Sequence, residues 1–210
     1  MSFDADRSGN LRTLLEFLAQ LILVNLLWFF VSALGLGIFT LAPATIAMYT
    51  LLYRHMRGSA APTVQGFFGV LKREYWKSQK VFFSVILAGS VLAVDFHYFY
   101  GSYSKQPSLL HGCGLFVSLF LVTVYCLSLT QIGPVCIYFP DLSALHTLKY
   151  AVLFSLGFLF HSLLIVLLLA LSLALILFFP RLWVLVPTIL MALNTYLSLL
   201  LVHGKYSALN

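Results

Sequence analysis

Two ionisable side chains stand inside an apolar run: Asp95 and His97, in the stretch Val81–Tyr98. A carboxylate about one helical turn inside the end of a membrane span needs a partner or a role, because a bare charge is costly there. Two residues apart on a helix, Asp95 and His97 point roughly 200° apart and form no simple dyad. Two readings remain. One is a snorkelling carboxylate beside a headgroup-facing imidazole. The other is an outward-facing ligand or proton site, which His111 at the start of the next run would join. Asn25, Thr40, Gln131 and Asn194 are the uncharged polar groups inside apolar runs. Such groups hydrogen-bond between helices or line a polar path for a hydroxylated solute.

Little else has the makings of a reaction centre. Of the six carboxylates, Asp4, Asp6, Glu16, Glu74 and Asp141 fall in tails or at interfaces, and Arg12–Glu16 is an ordinary i, i+4 pair. No HExxH, GxSxG, P-loop or GxGxxG pattern occurs. Cys113, Cys126 and Cys136 lie along one apolar stretch with no CxxC, which argues for small buried hydrophobes over a disulfide framework or zinc site. His55, His146, His161 and His203 are scattered near inner boundaries, where headgroups or carbonyls are the expected partners. We expect no enzyme, no cofactor and no metal.

Composition says which elements must hold these groups. Hydrophobic residues make up 61% of the 210-residue chain and charged residues 9%. A soluble domain carries about 25% charged residues, so this chain cannot cover a water-facing surface. Apolar runs near 20 residues identify spanning helices and not a barrel. The expected fold class is all-α: one polytopic transmembrane bundle of about six spans plus a cytoplasmic interfacial amphipathic helix. The spans read as 14–34, 38–53, 81–98, 112–139, 151–179 and 182–203. Gly35-Leu36-Gly37 supplies a tight turn after the first. The second is short and contains Pro43, so a re-entrant segment is the other reading of 38–53. Gly133-Pro134 is expected to kink the fourth span. No secretory signal peptide is expected, since the first apolar run is too long for one.

The cations set the orientation. Six spans put ten Lys and Arg on one side: Arg7, Arg12, the six within Arg54–Lys80, Lys149 and Lys205. Only Lys105 and Arg181 fall on the other. The positive-inside rule therefore places both termini in the cytoplasm. Tyr98, Tyr100, Tyr103 and Trp183 then mark the outer boundary, with Tyr53, Tyr75, Trp76 and Tyr138 at the inner one.

One segment, Thr63–Lys80, is too polar to span. Pro62-Thr63 starts a helix with Thr63 as its N-cap. Val64, Phe67, Phe68, Leu71 and Tyr75 recur at helical spacing on one face. Lys72, Arg73, Lys77 and Lys80 gather opposite them. Such a helix fits the headgroup plane of an anionic inner leaflet; the competing reading is a docking surface for a cytoplasmic partner. Nucleic acid is excluded for a helix held this close to lipid. Before the fifth span, Asp141 is the expected N-cap of a smaller counterpart, with Leu142, Leu145 and Leu148 as its apolar stripe.

Three runs carry a family likeness: Asn25-Leu26-Leu27-Trp28, then Thr40-Leu41-Ala42-Pro43-Ala44-Thr45-Ile46-Ala47-Met48-Tyr49, then Phe67-Phe68-Gly69-Val70-Leu71-Lys72-Arg73. Together they resemble the YesL-like family of bacterial integral membrane proteins, and Leu142–Ser155 is similar to that family's second half. The family has no established biochemical activity. Its members tend to be encoded beside genes of carbohydrate uptake and degradation. The resemblance thus implies an accessory or regulatory role in sugar uptake, with transporter subunits or a membrane sensor as partners. A small-solute permease acting on its own is the other functional reading, and it requires Asn25, Gln131 and Asn194 to line one polar cavity.

The orientation is checked by reporter fusions. Fusions at Gly58 and Lys149 are expected to read cytoplasmic and those at Lys105 and Arg181 external; a cytoplasmic signal at Lys105 contradicts the assignment.

Overall fold

The computed structural model describes residues 3–208, excluding the side chains of residues 3–11 and of residue 180. Asp4, Asp6 and Arg7, assigned above to an inner tail, have side chains outside that description. Among the described residues there is no strand. The helices are α1 (Phe3–Leu34), α2 (Leu41–Met56), α3 (Val64–Lys105), α4 (Leu109–Tyr138), α5 (Ala144–Gly157), α6 (Leu159–Phe178) and α7 (Met191–Tyr206). Between α6 and α7 lie a 3₁₀ turn, Pro180–Val184, and a π-helical turn, Val186–Leu190. Among the described residues, five segments are long and apolar enough to cross a bilayer: Arg12–Leu34, Val64–Lys105, Leu109–Tyr138, Leu159–Phe178 and Arg181–Tyr206.

Several boundaries differ from those expected, each for a local reason. The amphipathic stretch 63–80 and the span 81–98 run into one uninterrupted helix, α3, because no Gly or Pro occurs within residues 70–88. Its 42 residues extend about 63 Å, roughly twice the hydrocarbon thickness. Thr63 does cap it, accepting the Gly66 N–H at 3.0 Å. The expected span 38–53 is α2, whose 16 residues reach only about 24 Å. It is also closely enclosed, with Pro43, Ala44, Ile46, Ala47, Met48, Leu51 and Leu52 all buried. The span 151–179 is divided at Phe158, and the small helix before it belongs to α5. Ser143, not Asp141, caps α5 by accepting the His146 N–H, since its extended backbone (φ −69°, ψ 163°) suits a cap. The expected span 182–203 begins as the 3₁₀ and π turns and becomes α-helical only at Met191. Pro134 sits inside α4, which continues to Tyr138.

The chain divides into two compact units, Met1–Tyr75 with Leu168–Lys205, and Trp76–Leu167 with Tyr206–Asn210. In the first unit, α1 and α2 are joined by a turn in which Leu36 and Gly37 have positive φ, 54° and 72°. Thr40 leaves α2's N–H groups uncapped and instead donates its hydroxyl to the Val31 carbonyl at 2.7 Å. Gly35 has to be glycine, because a Cβ there would lie 2.0 Å from that same hydroxyl. Trp28 then donates Nε1–H to Thr45 Oγ1 at 3.0 Å, tying the helices one turn further in.

In the second unit, α3 and α4 run antiparallel through small residues. Tyr125 reaches over Gly89 to donate to the Val85 carbonyl at 2.9 Å. Phe99 lies on Gly114, where a Cβ would meet the ring at 2.2 Å. Gly89 and Gly114 are thus the close contacts expected of small residues in membrane helices. Gly157 is not: nothing lies within 4 Å of its missing side chain, and it ends α5. A cluster of rings fills the other end of this unit. Tyr206 packs against Tyr138 at 5.1 Å and Phe154 at 4.9 Å between centroids, with Phe139 and Phe158 beside it. Tyr138, expected at a boundary, is therefore buried.

Gly114→Ala is expected to destabilise the protein by about 1–3 kcal/mol, because the Phe99 ring has to be displaced. Thermal unfolding in mild detergent measures it; an unchanged midpoint contradicts the packing.

Candidate functional site

The polar residues singled out in the spans lie on structural duty, each in its own unit. Asn25 on α1 is fully buried. Its Nδ2–H donates to the Val186 carbonyl at 2.7 Å and its Oδ1 accepts the Ala192 N–H at 2.7 Å. These two backbone groups flank the π-helical turn. Pro187 within that turn has no N–H, and its ring clashes with the carbonyl one turn earlier, so the α-helical ladder cannot pass through it. One carboxamide, a donor and an acceptor in fixed geometry, repairs both sides of the break. Thr188 adds a further bond to the Val184 carbonyl at 2.8 Å. Asn194 exchanges hydrogen bonds with Ser172, at 2.9 Å from its Nδ2 and 3.2 Å to its Oδ1.

Gln131 belongs to the second unit and is also fully buried. Its Oε1 accepts from the Tyr206 hydroxyl at 2.9 Å and its Nε2–H donates to Ser162 Oγ at 2.8 Å. Ser162 passes its own hydrogen on to the Ser155 carbonyl at 3.4 Å. Both ends of the amide are engaged by the protein.

Asp95 accepts a short hydrogen bond from Ser118, a buried residue of α4 facing it across the α3–α4 seam. His97 is exposed and lies on a different side of α3. His111 does not join them: its ring contacts Ser108 Oγ at 3.0 Å and the Gln106 carbonyl at 3.2 Å in the turn that opens α4. Among the described residues, no three of His, Cys, Asp and Glu gather as metal ligands.

The amphipathic part of α3 departs from its expected face. Phe67 is fully buried and Leu71 half-buried, while Phe68 is 47% exposed. Trp76, 75% exposed, stands among the cations. The cations themselves are unequal. Lys77 donates to the Pro140 carbonyl and Arg73 pairs with Glu74 at 2.8 Å, whereas Lys72 and Lys80 are exposed. The simple two-faced pattern fails because the protein's own core takes Phe67 and Val70, a face about 110° round the helix from that centred on Val64 and Phe68. Sequence reasoning gave no role to Trp28, Thr45, Ser162 or Tyr206; each is an ordinary residue whose partner is remote in the chain.

Removing Asn25 tests this assignment. Asn25→Leu leaves a buried N–H and C=O without partners and is expected to cost about 2–4 kcal/mol. Gln131→Leu is expected to cost less, about 0.6–2 kcal/mol, because the Tyr206 and Ser162 hydroxyls can turn to other acceptors. Unfolding in detergent that ranks the two the other way contradicts the repair role.

Comparison with known proteins finds a family match over the second half of α1, all of α2 and most of α3. Residues 21–96 match the family described as "Protein of unknown function, DUF624". Over 197 residues the chain is 26% identical to "Uncharacterized protein YteU" of Bacillus subtilis (strain 168), covering 93% of this chain and 85% of that protein. Over 107 residues it is 33% identical to "Uncharacterized protein YesL" of the same organism, covering 50% of this chain and 49% of that one. No solved structure matches. The matched region contains Asn25, Trp28, Thr40 and Thr45, residues whose hydrogen bonds stitch the first unit together. The likeness read from the sequence is borne out: this chain is a relative of the YesL-like membrane proteins and carries the DUF624 pattern over residues 21–96.

Proposed function

We propose that this multi-pass helical membrane protein is a non-enzymatic accessory or regulatory component associated with carbohydrate uptake, seated in the bacterial plasma membrane with both termini in the cytoplasm. The observation that carries the reading is that Asn25, Gln131 and Asn194 have both ends of their amides engaged within the fold. A solute path needs polar groups free to exchange hydrogen bonds with what passes, and these are occupied. An exposed stripe lies on α3, where Phe68, Lys72, Trp76 and Lys80 recur at one-turn spacing. An aromatic–cation stripe suits an anionic inner leaflet or a transporter subunit or membrane sensor beside it. The link to sugars rests on the family resemblance.

A permease acting alone is the second reading, favoured by the helix break at Pro180–Leu190, since transporters place binding sites at interrupted helices. Purified protein in liposomes separates the two. The accessory reading expects no saturable sugar uptake, with a partner recovered in mild detergent and lost when Phe68, Lys72, Trp76 and Lys80 are replaced by Ser, Gln, Ser and Gln. Saturable uptake by the protein alone establishes the permease instead.

A further inference from the structure

We propose that the shared end of α2 and α7 binds the phosphate of an anionic lipid headgroup. Arg54 and His55 occupy the last turn of α2, with Arg57 just beyond it, and His203 and Lys205 the last turn of α7. Tyr53 joins the two ends. The Arg57 guanidinium lies 5.7 Å from its ring centroid and donates to its hydroxyl at 3.1 Å, while the His203 ring stands 6.5 Å away. Phe17 of α1 brings a third helix to the same level, 5.9 Å from His55 and 4.9 Å from Tyr196.

Basic residues at helix ends ordinarily serve the helix itself, by bonding its last carbonyls or offsetting its dipole. Here the carbonyls of α2 are already taken. Ser59 N–H bonds the Arg54 carbonyl at 2.9 Å and Gly58 N–H the His55 carbonyl at 2.9 Å, with Gly58 at φ 66°. That is the closed Schellman arrangement, and it needs no side chain. The dipoles do not absorb the charge either. Two helix C-termini supply about one negative charge between them, against the three full cations Arg54, Arg57 and Lys205.

Carboxylates do not neutralise the rest. Among the described side chains of this unit, Glu16 is paired with Arg12 at 2.9 Å and Glu74 with Arg73 at 2.8 Å. Arg57 and Lys205 are exposed and Arg54 half-exposed, so the excess positive charge faces outward beside an aromatic ring. A phosphodiester at the headgroup level, a diffuse monoanion, offsets part of that excess. The site shares no residue with the exposed stripe of α3.

Native mass spectrometry of the full chain with added phosphatidylglycerol tests the assignment, with inorganic phosphate as the competing source of the same anion. Each cation near such a surface is worth about five-fold in affinity. The triple variant Arg54→Gln, Arg57→Gln, Lys205→Gln is therefore expected to retain the lipid about 100-fold less well. Lys205→Gln alone, at an exposed position that leaves folding intact, is expected to lose about five-fold. Replacing Lys72 and Lys80 by Gln is expected to leave this retention unchanged. Retention unaffected in Lys205→Gln and the triple variant overturns the site. Inorganic phosphate displacing the lipid at equal concentration overturns its assignment to a headgroup.

Discussion

Inside hydrocarbon there is no water to satisfy a backbone N–H or C=O, so every interruption of a helix has to be answered by another part of the protein. Such an interruption occurs at the π-helical turn Val186–Leu190, and Asn25 answers it. The consequences run through the first unit. With its carboxamide committed to Val186 and Ala192, Asn25 fixes the distance of α1 from the turn leading to α7. One turn further along α1, Trp28 bonds Thr45, and near its end Val31 receives the Thr40 hydroxyl. These four bonds register α1 against the break on one side and α2 on the other.

The second unit meets the same constraint with different materials. Its polar core is a relay of hydroxyls and one amide, Tyr206 to Gln131 to Ser162 to Ser155, enclosed by aromatic rings. Its helices approach through Gly89 and Gly114 because lipid offers no hydrophobic drive for larger side chains to exploit. Apolar surface is left outward in quantity: only 6–22% of the apolar windows of the candidate spans is buried within the protein. That is the proportion expected of a chain whose solvent is the bilayer.

Much of this was legible in the residues and some of it was not. Composition alone announced an all-helical membrane protein, and Gly35-Leu36-Gly37 marked its first turn. The Thr63 cap was readable too, because a cap is a local signal spanning three residues. The continuity of α3 through Lys80 was obscured by polarity: charge along a helix changes its surroundings, not its backbone. Pro187 drew no notice in the sequence yet lies in the π-helical turn, while Pro134 is carried within α4. Asn25 and Gln131 stood out as polar groups in apolar runs, yet their partners lie 161 and 75 residues away, at Val186 and Tyr206. No periodicity links residues so distant, so the choice between solute contact and internal bond required the structure.

The central claim is that Asn25 closes the break with no water passing. Amide hydrogen exchange of the peptide spanning Val186–Ala192, measured in the folded protein in lipid nanodiscs, tests it most directly. Slow exchange at Ala192, comparable to the interior of α7 and accelerated in an Asn25→Ala variant, is the predicted result. Rapid exchange at Ala192 in the unaltered protein would show water at the break and contradict the account.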